Sequence, residues 1–97
     1  MARAAHPSVY KHAAVSQDLE DLWKLTAHQD KGVRACVAAN PNTPVALQLL
    51  LSSDEAREVR AALLENASLN PYVRRKLLSD ATSEARSIME TVSPTAS

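Results

Sequence analysis

The stretch from Val33 to Asp54, VRACVAANPNTPVALQLLLSSD, constrains this chain more than any other. Val33, Cys36, Val37 and Asn40 fall at i, i+3, i+4 and i+7, so they share one face of a helix. Asp30 precedes them and is placed to cap the first turn. Pro41 ends the helix, because the residue before a proline is pushed toward extended backbone. Thr43 is expected to supply a capping hydroxyl, with Pro44 at the first position of the next helix, where a missing N–H costs nothing. That helix, Val45 to Leu51, is apolar except at Gln48, a pattern expected of a helix buried on more than one side. The stretch predicts a helix, a proline-bracketed turn and a second helix.

The same pattern recurs. Leu51, Val59, Arg60, Ala61 and Asn66 match Leu25, Val33, Arg34, Ala35 and Asn40 at a spacing of 26 residues. A third copy, Leu77 to Val92, matches through Leu77, Ser79, Asp80, Glu84 and Arg86. Arg34, Arg60 and Arg86 keep step throughout. A fixed period in the twenties with two short helices per unit indicates a stacked helical array.

VRACVAANPNTPVALQLLLSSD followed by VRAALLEN resembles the leucine-rich repeat variant family, whose design is loosely similar to that of HEAT repeats. The likeness is good for Val33–Asp54 and fair for Val59–Asp80, where NASLNP replaces NPNTP. It implies an all-α fold of short helix pairs stacked as a small right-handed solenoid, with no enzymatic activity. Some members of that family carry an N-terminal iron–sulfur cluster on cysteines; this chain has no cysteine there, so the cluster is not carried over.

Composition sets the remaining bounds. Ninety-seven residues make one domain, and a domain of this size buries only about 60–65% of its unfolded surface. Phenylalanine is absent, so Ala, Leu and Val build the core. A single glycine argues against a hairpin-rich β fold, whose turns need positive φ. Eleven acidic residues balance eleven basic ones, leaving no overall field toward nucleic acid or membrane. One cysteine excludes an internal disulfide and fits a reducing compartment. The N-terminus lacks the apolar run of a signal peptide, and no stretch approaches the roughly 20 apolar residues of a membrane span. These features suggest a whole cytoplasmic protein. Met1–Pro7 is expected to be a flexible lead, 8–92 a single helical-repeat domain, and Ser93–Ser97 a disordered tail.

Along the chain, Ser8 is placed to cap a helix to Val15, and Ser16 one from Gln17 to His28 with Leu19, Leu22, Trp23 and Thr26 as its inner stripe. Asp54 is expected to cap Glu55–Glu65, and Asn70–Pro71 to restart the pattern with Tyr72–Leu78. A last helix, about Ser83 to Thr91, would turn Ala85, Ile88, Met89 and Val92 inward.

Two charged features invite function. The arginines at 34, 60 and 86 could face phosphates. Equally, they could form an internal ladder, with Asp54 six residues before Arg60 and Asp80 six before Arg86; an arginine fork on a carboxylate would tie one unit to the next. His28 stands where the first aspartate should be, leaving Asp30 as the substitute. Arg74, Arg75 and Lys76, with Tyr72 nearby, could meet a phosphate backbone or could simply form a solvated face. His6, His12, His28 and Cys36 lack the paired spacing of a zinc site, and nucleophile, zincin and phosphate-loop motifs are missing; neither cofactor nor metal is expected.

Two expectations follow. The first is a non-catalytic scaffold binding a protein partner across the second-helix face, through Glu20, Asp21, Lys24, Val45, Gln48, Tyr72 and Arg75. The alternative is a small nucleic-acid-binding module using Arg74, Arg75 and Lys76 with Arg34 and Arg60. Exposed ends of a short array would also favour a homodimer.

Overall fold

The computed structural model describes residues His6 to Val92. Among them six helices and no strands are found: α1 Pro7–Val15, α2 Leu19–Thr26, α3 Lys31–Ala39, α4 Val45–Leu51, α5 Arg57–Leu63 and α6 Pro71–Val92. The expected lead and tail lie outside the described residues, apart from His6 and Pro7. These are the N-cap and first residue of α1, with His6 Nδ1 accepting from the Ser8 amide in place of the Ser8 cap.

The helices form two layers. α3 packs between α1 and α5, while α4 packs between α2 and α6. The core lies between the layers, built from Ala13, Leu22, Val33, Val37, Leu47, Leu51, Val59, Leu63, Val73 and Leu77. Val33 and Val37 are fully buried as their spacing requires, and Cys36 is partly buried beside them. Gly32, a poor helix former, has a packing reason: a Cβ there would stand 2.8 Å from the Tyr10 ring. Asp30 caps α3 through the Gly32 amide and accepts the Tyr10 hydroxyl, which fixes that ring over the glycine.

Polar side chains hold successive helix pairs together. Asn40 is fully buried; its amide donates to the carbonyls of Ala13 (3.0 Å) and Ser16 (2.9 Å) and accepts from the Asn42 N–H (2.8 Å). Asn66, 26 residues later, donates to the carbonyls of Ala38 and Asn40, both at 2.9 Å, and accepts from the Ser68 N–H at 2.7 Å. Each asparagine therefore satisfies carbonyls left orphaned where an earlier helix ends, besides closing its own turn. Thr43 does not cap α4 as expected. Its hydroxyl donates to the Val37 carbonyl at 2.7 Å, and Pro44 occupies the N-cap.

Three further expectations are corrected. α2 is capped by Asp18, with the Ser16 hydroxyl accepting from the Asp18 amide. In α5, Asp54 serves the Ala56 amide, and the helix begins only at Arg57. Most importantly, 71–92 is one continuous helix instead of two. Residues 79–82, SDAT, contain no proline or glycine, so nothing stops propagation, and Lys76 and Asp80 pair across one turn at 3.1 Å. The expected inward side chains Ala85, Ile88, Met89 and Val92 lie outside the described ones.

Candidate functional site

Of the three arginines in step, Arg34 and Arg60 make bonds within the fold, along rungs that differ from the expectation, and Arg86 makes none to the described residues. Arg34 grips the Asp54 carboxylate with Nε (2.8 Å) and a second guanidinium nitrogen (3.2 Å), and donates to the carbonyls of His28 and Gln29. Side-chain exposures of 13% and 10% make this a largely desolvated pair. Its hydrogen bond raises the arginine above its ordinary pKa, keeping it charged. Arg60 reaches the Asp54 backbone carbonyl, since Arg34 already holds the carboxylate, and its charge lies 3.7 Å from Glu84. Asp80 pairs with Lys76, while Arg86 is exposed. Within one helix, residues six apart point to different faces, so the continuity of α6 rules out the expected Asp80–Arg86 rung.

Gln48 is likewise removed from the binding surface. It is 1% exposed. Its amide donates to the Thr43 and Ser68 carbonyls, both at 3.1 Å, and accepts from the Asn70 N–H at 2.9 Å, tying α4 to the turn before α6. The one polar residue of α4 is thus buried while Val45, Leu49 and Leu50 are exposed, opposite to the expectation of an apolar helix buried all round. The buried polar atoms of Gln48 are all satisfied, so its burial carries little penalty.

Val45 and Leu49 belong to a row. Leu19 and Trp23 on α2 stand 26 residues before Val45 and Leu49 on α4, and Leu49 stands 26 before Arg75 on α6. All five are exposed, Trp23 by half, and Tyr72 beside them by 67%. Because α2 packs on α4 and α4 on α6, corresponding positions line up across the second layer. The result is an apolar strip of Leu19, Trp23, Val45, Leu49 and Tyr72, with Glu20 and Lys24 at one end and Arg74 and Arg75 at the other. Leu19 and Trp23 were expected in the core. The equivalence of Trp23 to Arg75, which a helix cannot bury unpaired, was the available sign that Trp23 is not; Leu19 corresponds to Pro71 and carried no such sign.

The basic cluster is smaller than its sequence suggests. Arg74 and Arg75 are exposed, and a shallow hollow beside them is lined by Pro71, Leu78, Ser79 and Thr82. Lys76 is engaged by Asp80 and the Ser53 hydroxyl. Glu20 and Lys24 face solvent, 3.7 Å apart, whereas Asp21 meets His12 at 3.0 Å. No family model, curated protein or solved structure matches the chain. What the strip can do must come from its chemistry. Exposed aromatic and aliphatic side chains in a row bury apolar surface when a partner covers them. Among the described residues no three His, Cys, Asp or Glu side chains gather as metal ligands, and no helix is long and apolar enough to cross a membrane.

Proposed function

We propose that the chain is a non-catalytic helical-repeat scaffold, a short solenoid of the leucine-rich repeat variant or HEAT-like kind, that binds a protein segment along its second-helix face. The observation that carries this reading is the row Leu19, Trp23, Val45, Leu49 and Tyr72, exposed on the second-layer helices α2, α4 and α6, with α4 fixed to the turn before α6 through the buried Gln48 amide. An array of this kind presents an extended surface without needing to move. Tyrosine and tryptophan are the residue types most enriched where binding energy concentrates. The partner segment is apolar along its length, with an acidic end to meet Arg74 and Arg75. The nucleic-acid alternative has less support. Arg34 is held by the Asp54 carboxylate, Arg60 by the Asp54 carbonyl and Glu84, and Lys76 by Asp80; Arg74 and Arg75 on a chain of zero formal net charge make a short footprint.

The test compares three proteins: the parent, Trp23→Ser/Leu49→Glu, and Arg74→Ala/Arg75→Ala. Each is immobilised to capture partners from nuclease-treated extract and titrated with DNA and RNA at two salt concentrations. Protein capture lost with the strip variant and retained by the arginine variant supports the reading. Steeply salt-dependent oligonucleotide binding, abolished by the arginine variant alone, sinks it.

A further inference from the structure

A second surface lies at the opposite end of the chain from α1. On its side away from α3, α5 presents Arg57, Arg60, Ala61 and Leu64. With Leu77, Asp80, Ala81 and Glu84 of α6 they wall a groove of about 340 Å³. Moved back by 26 residues, the α5 wall becomes Lys31, Arg34, Ala35 and Ala38 of α3. That is the surface on which α5 itself packs. The α6 wall becomes Leu51, Asp54, Glu55 and Glu58, the segment that carries the chain from α4 into α5. The start of the occupant is supplied in place: Lys31 meets Glu58 of α5 at 2.7 Å, and Arg57 meets the corresponding Glu84 of α6 at 3.2 Å, beyond which α6 runs on instead of lying in the seat. The difference is what lies on top. Ala38 is fully buried, whereas its counterpart Leu64 is 40% exposed. The groove is a seat built for a helix of the α5 kind, and α6 leaves it open by running straight.

The sequence that corresponds to α5 is the distal half of α6, where Glu84 and Arg86 match Glu58 and Arg60. Its residues Ala85, Ile88, Met89 and Val92 repeat the spacing of a helix face. We propose that this groove receives the distal half of α6 from a second copy of the chain, each copy filling the other's seat about a two-fold axis. A helix that continues through a position where its earlier counterpart turns back is the geometry by which two chains exchange an element. Charge supports the same occupant. The groove carries two arginines and two carboxylates, a neutral set that meets an occupant bringing both signs of charge in Arg86 and Glu90. Asp54 is held by an arginine of another helix, while its counterpart Asp80 meets Lys76 of its own helix. Arg86 of the second copy, exposed in the single chain, brings a guanidinium to Asp80. Ala81, small and on the groove wall, lets the two helices approach closely where they cross.

The test is sedimentation velocity with light scattering on the full chain. The parent is expected to be a dimer in the micromolar range. Leu64→Glu, at a position already exposed in the single chain, should retain the helical circular dichroism of the parent. It should weaken dimerisation by about a hundredfold. Asp80→Arg and Arg86→Asp should each dissociate the dimer, and an equimolar mixture of the two should associate again, which only a contact between chains can produce. A parent that stays monomeric across that range overturns the proposal. So does a dimer indifferent to Leu64→Glu, or one dissolved by Trp23→Ser instead, which would place the contact on the second-layer strip.

Discussion

Replacing Asn66 tests the account of how the helix pairs are joined. Its side chain is 2% exposed and makes three hydrogen bonds at 2.7–2.9 Å. Asn66→Ala orphans the Ala38 and Asn40 carbonyls and the Ser68 N–H together. Each orphaned buried group costs about 1–3 kcal/mol; with water reaching the Ser68 end, about 3 kcal/mol in all is expected. A domain of this size has roughly 5–10 kcal/mol in total, so the melting temperature should fall by about 12–24 °C. Asn66→Asp sharpens the test. At neutral pH a carboxylate would face two carbonyl oxygens with nothing to donate, and the loss should exceed that of alanine. The protonated acid recovers one donor, so its pKa in the folded state lies above the unfolded value. The ionisation part of the penalty is therefore absent below the unfolded value, about 3.9, where only the cost of one lost donor remains, and it grows as pH rises toward the folded one. Thermal unfolding of both variants across pH, each referred to the parent at the same pH, is the assay. An alanine variant within about 0.5 kcal/mol of the parent, as for an ordinary surface position, would refute the reasoning.

Arg34→Ala strips a buried carboxylate of its partner and should cost about 3 kcal/mol in urea unfolding, whereas Arg75→Ala should change stability by less than about 0.5 kcal/mol; equal effects would remove the distinction between ladder and surface. Cys36 has its thiol pKa pushed up, first by burial and then by Asp30, so less thiolate exists at any given pH. Alkylation of the native protein should run roughly tenfold slower than that of the unfolded chain at the same mildly alkaline pH, and equal rates would contradict its packing. Gly32→Ala should destabilise by about 1 kcal/mol despite the better helix former, because the fixed Tyr10 ring cannot retreat; a calorimetric gain in stability would show that the ring moves.

Local signals were legible and long-range ones less so. The α3–turn–α4 unit follows from adjacent residues: the Asp30 cap, the Val33/Val37 spacing and the two prolines. All-helical architecture follows in turn. Gln48 misled because a lone polar residue on an apolar helix reads as surface, and its partners at Ser68 and Asn70 are about twenty residues away. Asn40 and Asn66 were legible as helix ends only. Their recurrence at the arginine spacing was in view, but a buried amide shows its purpose only when the carbonyls it serves have been brought near. Trp23 misled because periodicity gives a stripe without saying how wide a neighbouring helix will cover it. For α6 the copied frame suggested a turn at 79–82, where the local residues supply no stop, and the local chemistry prevailed.

The asparagine clamps also govern how such a chain can change in length. Connections between helices usually absorb an added residue without trouble. Here Asn66 is fastened to the carbonyls of Ala38 and Asn40, and Asn40 to those of Ala13 and Ser16. One residue inserted within α5 would rotate everything beyond it by about 100° and carry the Asn66 amide away from both acceptors. A whole 26-residue segment copied after Asn66 would instead arrive with its own asparagine and find the carbonyls already in place. The molecule is in this sense countable: lineages descended from it should differ by entire helix pairs and seldom by single residues.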